Sequence, residues 1–154
     1  MATRTRLPQR TALQAWRAFL EAHAEVTRLL EAEMMEERQL PLAWYDVLVQ
    51  LAEAPRGRLR MQELARRVLL SKSGLTRLAD RMEQTGYLRR QACTTDGRGV
   101  EAVLTPAGRA ALRGAAPVHM RGVYRHFTSL LNEDDATAVA LVMERVRDAA
   151  RAKG

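Results

Sequence analysis

The chain has 154 residues, of which 47% are apolar, a composition that supports a folded core and excludes an intrinsically disordered chain. It contains no run of about 18 apolar residues, which excludes a transmembrane helix, and its arginine-rich residues 1–10 lack the apolar stretch of a secretory signal. The net charge of +7 and the single cysteine, Cys93, predict a cytoplasmic protein with an anionic partner and no internal disulfide.

The positive charge is concentrated in the middle of the chain. The segment from Arg56 to Arg98 contains eleven basic and four acidic residues, whereas the two kinds balance elsewhere. A focused basic segment is typical of proteins that bind a polyanion such as DNA. The alternative interpretation is a solvated basic face without a partner.

Two helices are predicted before the basic segment. Residues 11–38 carry apolar side chains every three or four positions, which indicates one long amphipathic helix. Its stripe consists of Leu13, Trp16, Leu20, His23, Thr27 and Leu30. Pro41 predicts a break, and a second helix is expected over residues 42–54, ending at the turn signal Pro55-Arg56-Gly57.

A helix-turn-helix motif is predicted next. A short strand over residues 59–61 leads into a short helix over residues 62–69. Ser71 is a good N-cap for a further helix, Ser71–Thr85, and Gly86 is a natural stop. Two short helices joined by a tight turn are the unit that places its second helix in the DNA major groove.

The second helix of this motif has two distinct faces. At 100° per residue, Leu75, Leu78, Ala79 and Met82 fall on one side, while Ser73, Thr76, Arg77, Asp80 and Gln84 fall on the other. Small hydroxyls allow close approach to DNA, arginine can grip guanine, and free amides at the helix start can bind phosphate. The predicted DNA contacts on this helix are Ser71, Lys72, Ser73, Gly74, Thr76, Arg77 and Arg81. The alternative is an ordinary amphipathic surface helix.

A β-hairpin is predicted after this helix, with strands over residues 87–92 and 99–104. Arg98 lies near its tip between Gly97 and Gly99, and Asp96 is placed to orient the Arg98 guanidinium. Such a wing reaches along the DNA backbone or into the minor groove. Arg89 and Arg90, on the first strand, are predicted phosphate contacts.

The chain is predicted to end in two more helices. Thr105-Pro106 is a helix start, a bend or break is expected near Pro117, and Asn132 caps a last helix. The fold class is therefore mainly α with a small β-hairpin wing. A helix of ~30 residues is about 45 Å long, which outreaches a globule of this size, so we favour a dimer interface over intramolecular packing. The predicted organisation is a single protomer (1–154), with a DNA-binding part (42–104) and dimerisation helices (11–38 and 106–152).

These segments resemble the MarR family of winged helix-turn-helix regulators. The resemblance covers nearly the whole chain and keeps the order of elements. It is carried by Trp44-Tyr45-Asp46-Val47-Leu48, by residues 59–65 (LRMQELA), by residues 71–78 (SKSGLTRL), by the wing Asp96-Gly97-Arg98-Gly99, and by residues 104–108 (LTPAG).

The resemblance implies a homodimer built from the first and last helices, on an operator whose half-sites lie about one helical turn apart. It maps the family's wing aspartate and arginine onto Asp96 and Arg98, and the recognition helix onto Ser71–Thr85. Many members repress a neighbouring gene and release DNA when a small, often aromatic and anionic molecule binds.

The resemblance also implies an effector pocket lined by the first, second and fifth helices. The candidate ligand-binding residues in that region are Trp16, His23, Trp44, Tyr45, Asp46 and His119. An aromatic wall with a polar end suits a flat phenolic ligand. The alternative is that the tryptophans are core residues and the histidines are their neighbours.

Metal, redox and enzyme functions have little support in the sequence. His23, His119 and His126 are scattered without ligand spacing, so no metal or cofactor is predicted. Cys93 is predicted to be a passive strand residue, since the family's peroxide sensors use a cysteine in the first helix. Among the residue patterns no nucleophile, base and orienting group stand together, which argues against an enzyme. The prediction is a sequence-specific regulator of transcription; the alternative is an architectural DNA-binding protein without an operator.

Overall fold

The computed structural model describes residues 9–68, 72–93 and 97–153, which form a mainly helical chain with one small antiparallel sheet. The helices are α1 (Arg10–Arg38), α2 (Leu42–Glu53), α3 (Met61–Arg67), α4 (Lys72–Gln84), α5 (Pro106–His126) and α6 (Glu133–Arg151). The strands are β1 (Arg58–Arg60), β2 (Leu88–Ala92) and β3 (Val100–Leu104). The predicted fold class is confirmed. Within these residues, no helix is long and apolar enough to cross a membrane.

The chain divides into two compact units. The terminal unit comprises residues up to Leu30 and from Arg121 onward, and the central unit comprises Glu31–Met120. The central unit contains the predicted helix-turn-helix and wing, together with the end of α1 and most of α5.

The break between α1 and α2 lies where Pro41 predicts it. Gln39 adopts a positive φ of 50°, which turns the chain, and α2 begins at Leu42. The carboxylate of Glu31 accepts a hydrogen bond from the Leu42 backbone N–H at 2.6 Å. A carboxylate at a helix N-terminus stabilises amides that have no partner within the helix.

The core of the central unit lies between α2, the helix-turn-helix and the sheet. Leu48 and Leu51 of α2, Leu64 of α3 and Met82 of α4 are all inaccessible to solvent. Leu88 of β2 is also in this cluster. Burying large aliphatic side chains contributes about 1.5–3 kcal/mol each, and this cluster fixes the helix-turn-helix on the sheet.

The sheet has three strands in the order β1-β3-β2, with both pairs antiparallel. β2 and β3 form the predicted hairpin, in register from Leu88 opposite Leu104 to Ala92 opposite Val100. β1 pairs with the other edge of β3 and places Leu59 opposite Ala102. The short predicted strand therefore lies beside the hairpin and anchors the start of α3.

Helix α5 runs through Pro117, so of the bend or break predicted there a break does not occur. A proline within a helix leaves the carbonyl four residues earlier without its partner. Both Pro117 and Arg113 are exposed, which allows water to satisfy that carbonyl. Helix α6 begins as predicted, because Asn132 Oδ1 accepts from the Asp135 backbone N–H at 2.8 Å.

The terminal unit exposes its apolar side chains. None of the α6 residues, all of which the structure describes, is buried. Residues 9–25 are likewise exposed, including most of the predicted α1 stripe, and of that stripe only Leu30 is buried. The large exposed apolar side chains of this unit are Leu13, Trp16, Phe19, Leu20, Tyr124, Phe127, Leu130, Val139, Leu141, Val142, Met143 and Val146.

Candidate nucleic-acid interface

Helix α4 presents the two faces that its sequence predicts. Leu75, Leu78, Ala79 and Met82 are buried in the core of the central unit, as predicted. The side chains of Thr76, Arg77, Arg81 and Gln84 are exposed, and Gly74 is half-buried. The buried side fixes the helix, and the exposed side offers a hydroxyl, an amide and two guanidinium groups to a partner.

Part of the predicted interface lies outside the described residues. Ser71 and Asp96 fall there, and for Lys72 and Ser73 only the helical backbone is described. The predictions for these residues stay as predictions.

The described part of the wing tip turns at two glycines that flank Arg98. Gly97 and Gly99 have positive φ angles of 63° and 90°, a region that other residues rarely adopt. The Gly97 N–H donates to the Cys93 carbonyl, and the Cys93 N–H donates to the Gly99 carbonyl, each at 3.1 Å. This turn holds Arg98 at the tip with its side chain exposed.

Some arginines of the basic segment form ion pairs with carboxylates, and others are exposed without one. The Glu63 carboxylate on α3 lies 3.2 Å from Arg66 and 3.0 Å from Arg67. Arg77, Arg81 and Arg89 are exposed and form no ion pair with any other residue that the structure describes. The acidic residues therefore leave an excess of positive charge on the outward side of α4 and the wing.

Arg90, a predicted phosphate contact, lies in a different environment from its neighbour Arg89. Its guanidinium is 2.6 Å from the Asp80 carboxylate and 2.7 Å from that of Glu83, both on α4. Hydrogen bonds from Arg90 lower the pKa of Glu83, first from its backbone N–H and then from its guanidinium. Sequence reasoning did not identify Glu83, although Asp80 and Glu83 are acids one helical turn apart within a basic segment.

Helix α4 and the wing share an open cleft of about 510 Å³. Thr76 of α4 and Arg98 of the wing both line it, together with Arg60 at the end of β1. Helix α4 and the wing tip are thus next to each other, as a surface that contacts two adjacent grooves of a duplex would require.

A buried polar group lies beneath the wing. The Glu101 side chain on β3 accepts a hydrogen bond from the Cys93 thiol at 3.4 Å and lies 3.9 Å from Arg58 on β1. Cys93 lies just after the end of β2, not within the strand as predicted, and it is 3% exposed, so its thiol has little access to solvent.

Three of the candidate ligand residues, Tyr45, Asp46 and His119, form one cluster in the central unit. The rings of Tyr45 and His119 are stacked with centroids 4.4 Å apart. Burial lowers the pKa of His119, while the Asp46 carboxylate opposes that shift. Burial also raises the pKa of Asp46, and a hydrogen bond from Gln50 acts in the opposite direction. His119 Nδ1 is buried without a hydrogen-bond partner among the described residues.

The other three candidate ligand residues lie elsewhere. Trp44 packs edge-on against Tyr87, with ring centroids 6.0 Å apart, and not against Tyr45 or His119. Trp16 and His23 belong to the terminal unit, where each contacts Phe19. In the described ranges, no three His, Cys, Asp or Glu side chains are grouped as metal ligands.

Comparison with known proteins identifies the family. The sequence profile of the MarR family matches residues 38–99. The solved structure of AbsC, a MarR-family transcriptional regulator from Streptomyces coelicolor, is similar with a TM-score of 0.87 and 36% identity, over 96% of this chain and 99% of that one. The chain belongs to the MarR family.

Two further relatives are similar to this chain. Sco3205, another MarR-family regulator from Streptomyces coelicolor solved in complex with DNA, has a TM-score of 0.86 and 32% identity, covering 94% of this chain and 91% of that one. An uncharacterised HTH-type transcriptional regulator of Bacillus cereus is 30% identical over 76% of each chain. The protein is therefore a transcriptional regulator, and the role of its relatives is not enzymatic.

Proposed function

We propose that this protein binds a pseudo-palindromic operator as a homodimer, with α4 in the major groove and the wing on the adjacent backbone or minor groove. The observation that carries the proposal is the exposed polar face of α4 beside an arginine-tipped wing, on the segment that holds the whole positive excess. In α4, Arg77 reads a guanine, and Thr76 and Arg81 contact bases or phosphates. In the wing, Arg89 and Arg98 contact phosphates or the minor groove.

The homodimer follows from the terminal unit. Its exposed tryptophan, phenylalanine, leucine and valine side chains on α1 and α6 are more apolar surface than a soluble monomer usually leaves in water. A second copy of the chain would cover them. A dimer carries two copies of α4, which requires an operator with two related half-sites.

An architectural DNA-binding protein would use the same basic surface without base selection. Selection of bound genomic fragments at physiological salt, followed by competition with excess random duplex, distinguishes the two functions. A regulator keeps its selected fragment against the competitor, since specific sites bind at least ~10³-fold more tightly than random DNA. If random duplex displaces the selected fragment in proportion to its concentration, the architectural function is favoured.

We infer that the regulator acts as a repressor released by a small aromatic ligand at the cluster of Tyr45, Asp46 and His119. An unpartnered, buried ring nitrogen beside a carboxylate and a phenol offers both stacking and polar recognition. A panel of aromatic acids and phenols should contain a compound that dissociates the operator complex. The response should be lost in His119→Ala and kept in Trp44→Phe, and a response that survives His119→Ala would exclude this cluster.

A further inference from the structure

Arg90 on β2 links the wing to α4 through several hydrogen bonds to two carboxylates. Its Nη2 donates to Asp80 Oδ1 at 2.6 Å and to Glu83 Oε2 at 2.7 Å, and its Nε donates to the same Glu83 oxygen at 2.9 Å. The second Glu83 oxygen accepts from the Arg90 backbone N–H at 2.7 Å. Glu83 thus grips both the side chain and the main chain of one residue.

The main-chain bond ties the helix to the sheet itself. β2 is an edge strand, paired only with β3, where Arg90 lies opposite Ala102. The outward N–H of an edge strand needs a partner, and here the Glu83 carboxylate supplies it. Charge-assisted bonds of this kind are short and roughly twice as strong as neutral ones.

The bridge is placed to set the rotation of α4 about its axis. At 100° per residue, Thr76, Asp80 and Glu83 lie along one side of the helix, beside the buried face. Arg90 and Thr76 line the same cleft. A rotation of α4 would move Asp80 and Glu83 away from Arg90 and would turn Thr76 and Arg77 relative to a docked duplex.

We propose that Arg90 is a positioning residue for DNA reading, which fixes the rotational setting of α4 against the wing instead of contacting a phosphate. The inference rests on the proposed function, because it presupposes that α4 reads an operator. Its partners in this role are Asp80 and Glu83, acidic residues that would weaken a purely electrostatic DNA surface.

The two roles of an arginine differ in what they do to binding. Loss of a phosphate contact weakens binding to all sequences and lowers the slope of log affinity against log salt by about one. Loss of positioning lowers the discrimination between operator and altered operator. It leaves the salt slope unchanged, since the number of phosphates that the protein neutralises stays the same.

Glu83→Gln in the full chain is the decisive variant, because it removes a negative charge while it weakens the bridge. Fluorescence anisotropy over a salt series would compare a duplex selected from genomic DNA with one whose half-site base pairs are altered. We expect the affinity ratio of the two duplexes to fall by about tenfold with the salt slope unchanged. If Arg90 only contacted a phosphate, Glu83→Gln would bind both duplexes as tightly as the parent protein or more tightly.

Arg90→Lys is the second variant, because lysine keeps the charge but cannot bridge two carboxylates with a planar fork. This variant should also reduce the affinity ratio of the two duplexes at an unchanged salt slope. The test therefore remains possible if circular dichroism shows that one of the two variants is unfolded. Arg89→Ala is the matched control on the same strand, and it should weaken both duplexes equally.

Unchanged discrimination in Glu83→Gln and Arg90→Lys would overturn the positioning role, given a parent that discriminates. A parent protein that binds both duplexes equally would instead contradict the proposed function and this inference with it. The two failures are therefore distinguishable in one titration series.

Discussion

Gly108 shows at the residue scale why a small side chain is needed at the start of α5. A methyl group at this position would overlap the carbonyl oxygen of Tyr87 and lie 2.9 Å from Leu104 Cδ1. The Thr105 hydroxyl accepts from the Gly108 N–H at 3.0 Å and donates to the Gly86 carbonyl at 2.6 Å. The Thr-Pro-Ala-Gly segment therefore caps α5 and seats it on the turn between α4 and β2.

Gly108→Ala should destabilise the protein by about 1–3 kcal/mol, because the added methyl must displace backbone in a closely packed turn. Gly114→Ala on the same helix is the control. Its added methyl would meet only Arg38 Nη1 at 3.8 Å, so it should stabilise the helix by up to ~1 kcal/mol. Urea denaturation of both variants measures the difference, and equal free energies of unfolding would contradict the packing account.

The burial of His119 indicates that the stability of the central unit decreases in acid. Burial lowers its pKa in the folded state, so the unfolded chain binds a proton more readily. Stability should therefore fall as pH drops below the unfolded pKa of about 6.5. Asp46 acts in the opposite direction at lower pH, because its pKa is raised on folding and protonation favours the folded state.

His119→Phe should flatten the loss of stability as pH falls from about 6.5 to 5, since it keeps a ring beside Tyr45 and removes the titrating group. Thermal unfolding midpoints across that pH range test the prediction. Tyr45→Phe is the control and should retain the acid-side loss. A parent whose midpoint does not change over this range would contradict the assigned role of His119.

At the scale of elements, α4 and the wing line one cleft, and most of this surface is predictable from sequence. The boundaries of α4 lie within one residue of the prediction, and all four of its predicted inward residues are buried. Periodicity suffices here because a single amphipathic helix carries its own signal. The partner of β1 is not predictable in this way, because Leu59 pairs with Ala102, far along the chain.

The environment of Arg90 is a second limit of sequence reasoning. Arg89 and Arg90 are adjacent and chemically identical, and the sequence predicts the same role for both. The pleat of β2 directs them to different sides, so Arg89 is exposed and Arg90 meets Asp80 and Glu83. Which side faces α4 depends on tertiary packing, which residue spacing does not encode.

Arg98→Ala should weaken binding to operator and random duplex alike, and should lower the slope of log affinity against log salt by about one, because in the proposed complex the wing tip contacts the backbone or the minor groove. Arg113→Ala is the control, since Arg113 is also an exposed arginine but lies on α5, outside α4 and the wing. Anisotropy titrations at several salt concentrations give both quantities. Unaltered affinity on both duplexes would remove Arg98 from the interface.

At the scale of the whole molecule, the two compact units differ in how far their apolar side chains are buried. The central unit contains α4, the wing and a buried core, while the terminal unit leaves Leu141, Val142 and Val146 of α6 in solvent. Such side chains are costly to expose in a single chain. A second copy of the chain would cover them in the proposed dimer.

Val142→Glu should yield a monomer with weakened operator binding, because a charge in an apolar interface must be desolvated without a partner. Thr137→Glu, on the polar side of the same helix, should remain dimeric. Sedimentation equilibrium measures the association, and circular dichroism checks that the helices persist. A parent chain that sediments as a monomer at the concentration at which it binds operator would exclude the dimer.

The most direct test of the account is binding-site selection from random duplexes with the parent and Arg77→Ala. Arg77 is exposed on the polar face of α4, where a bidentate bond to guanine would contribute about 1–3 kcal/mol of discrimination. The account predicts a two-fold symmetric motif for the parent and, for the variant, loss of the guanine preference at one position in each half-site. An identical motif from both proteins, or no motif from the parent, would contradict base reading by α4.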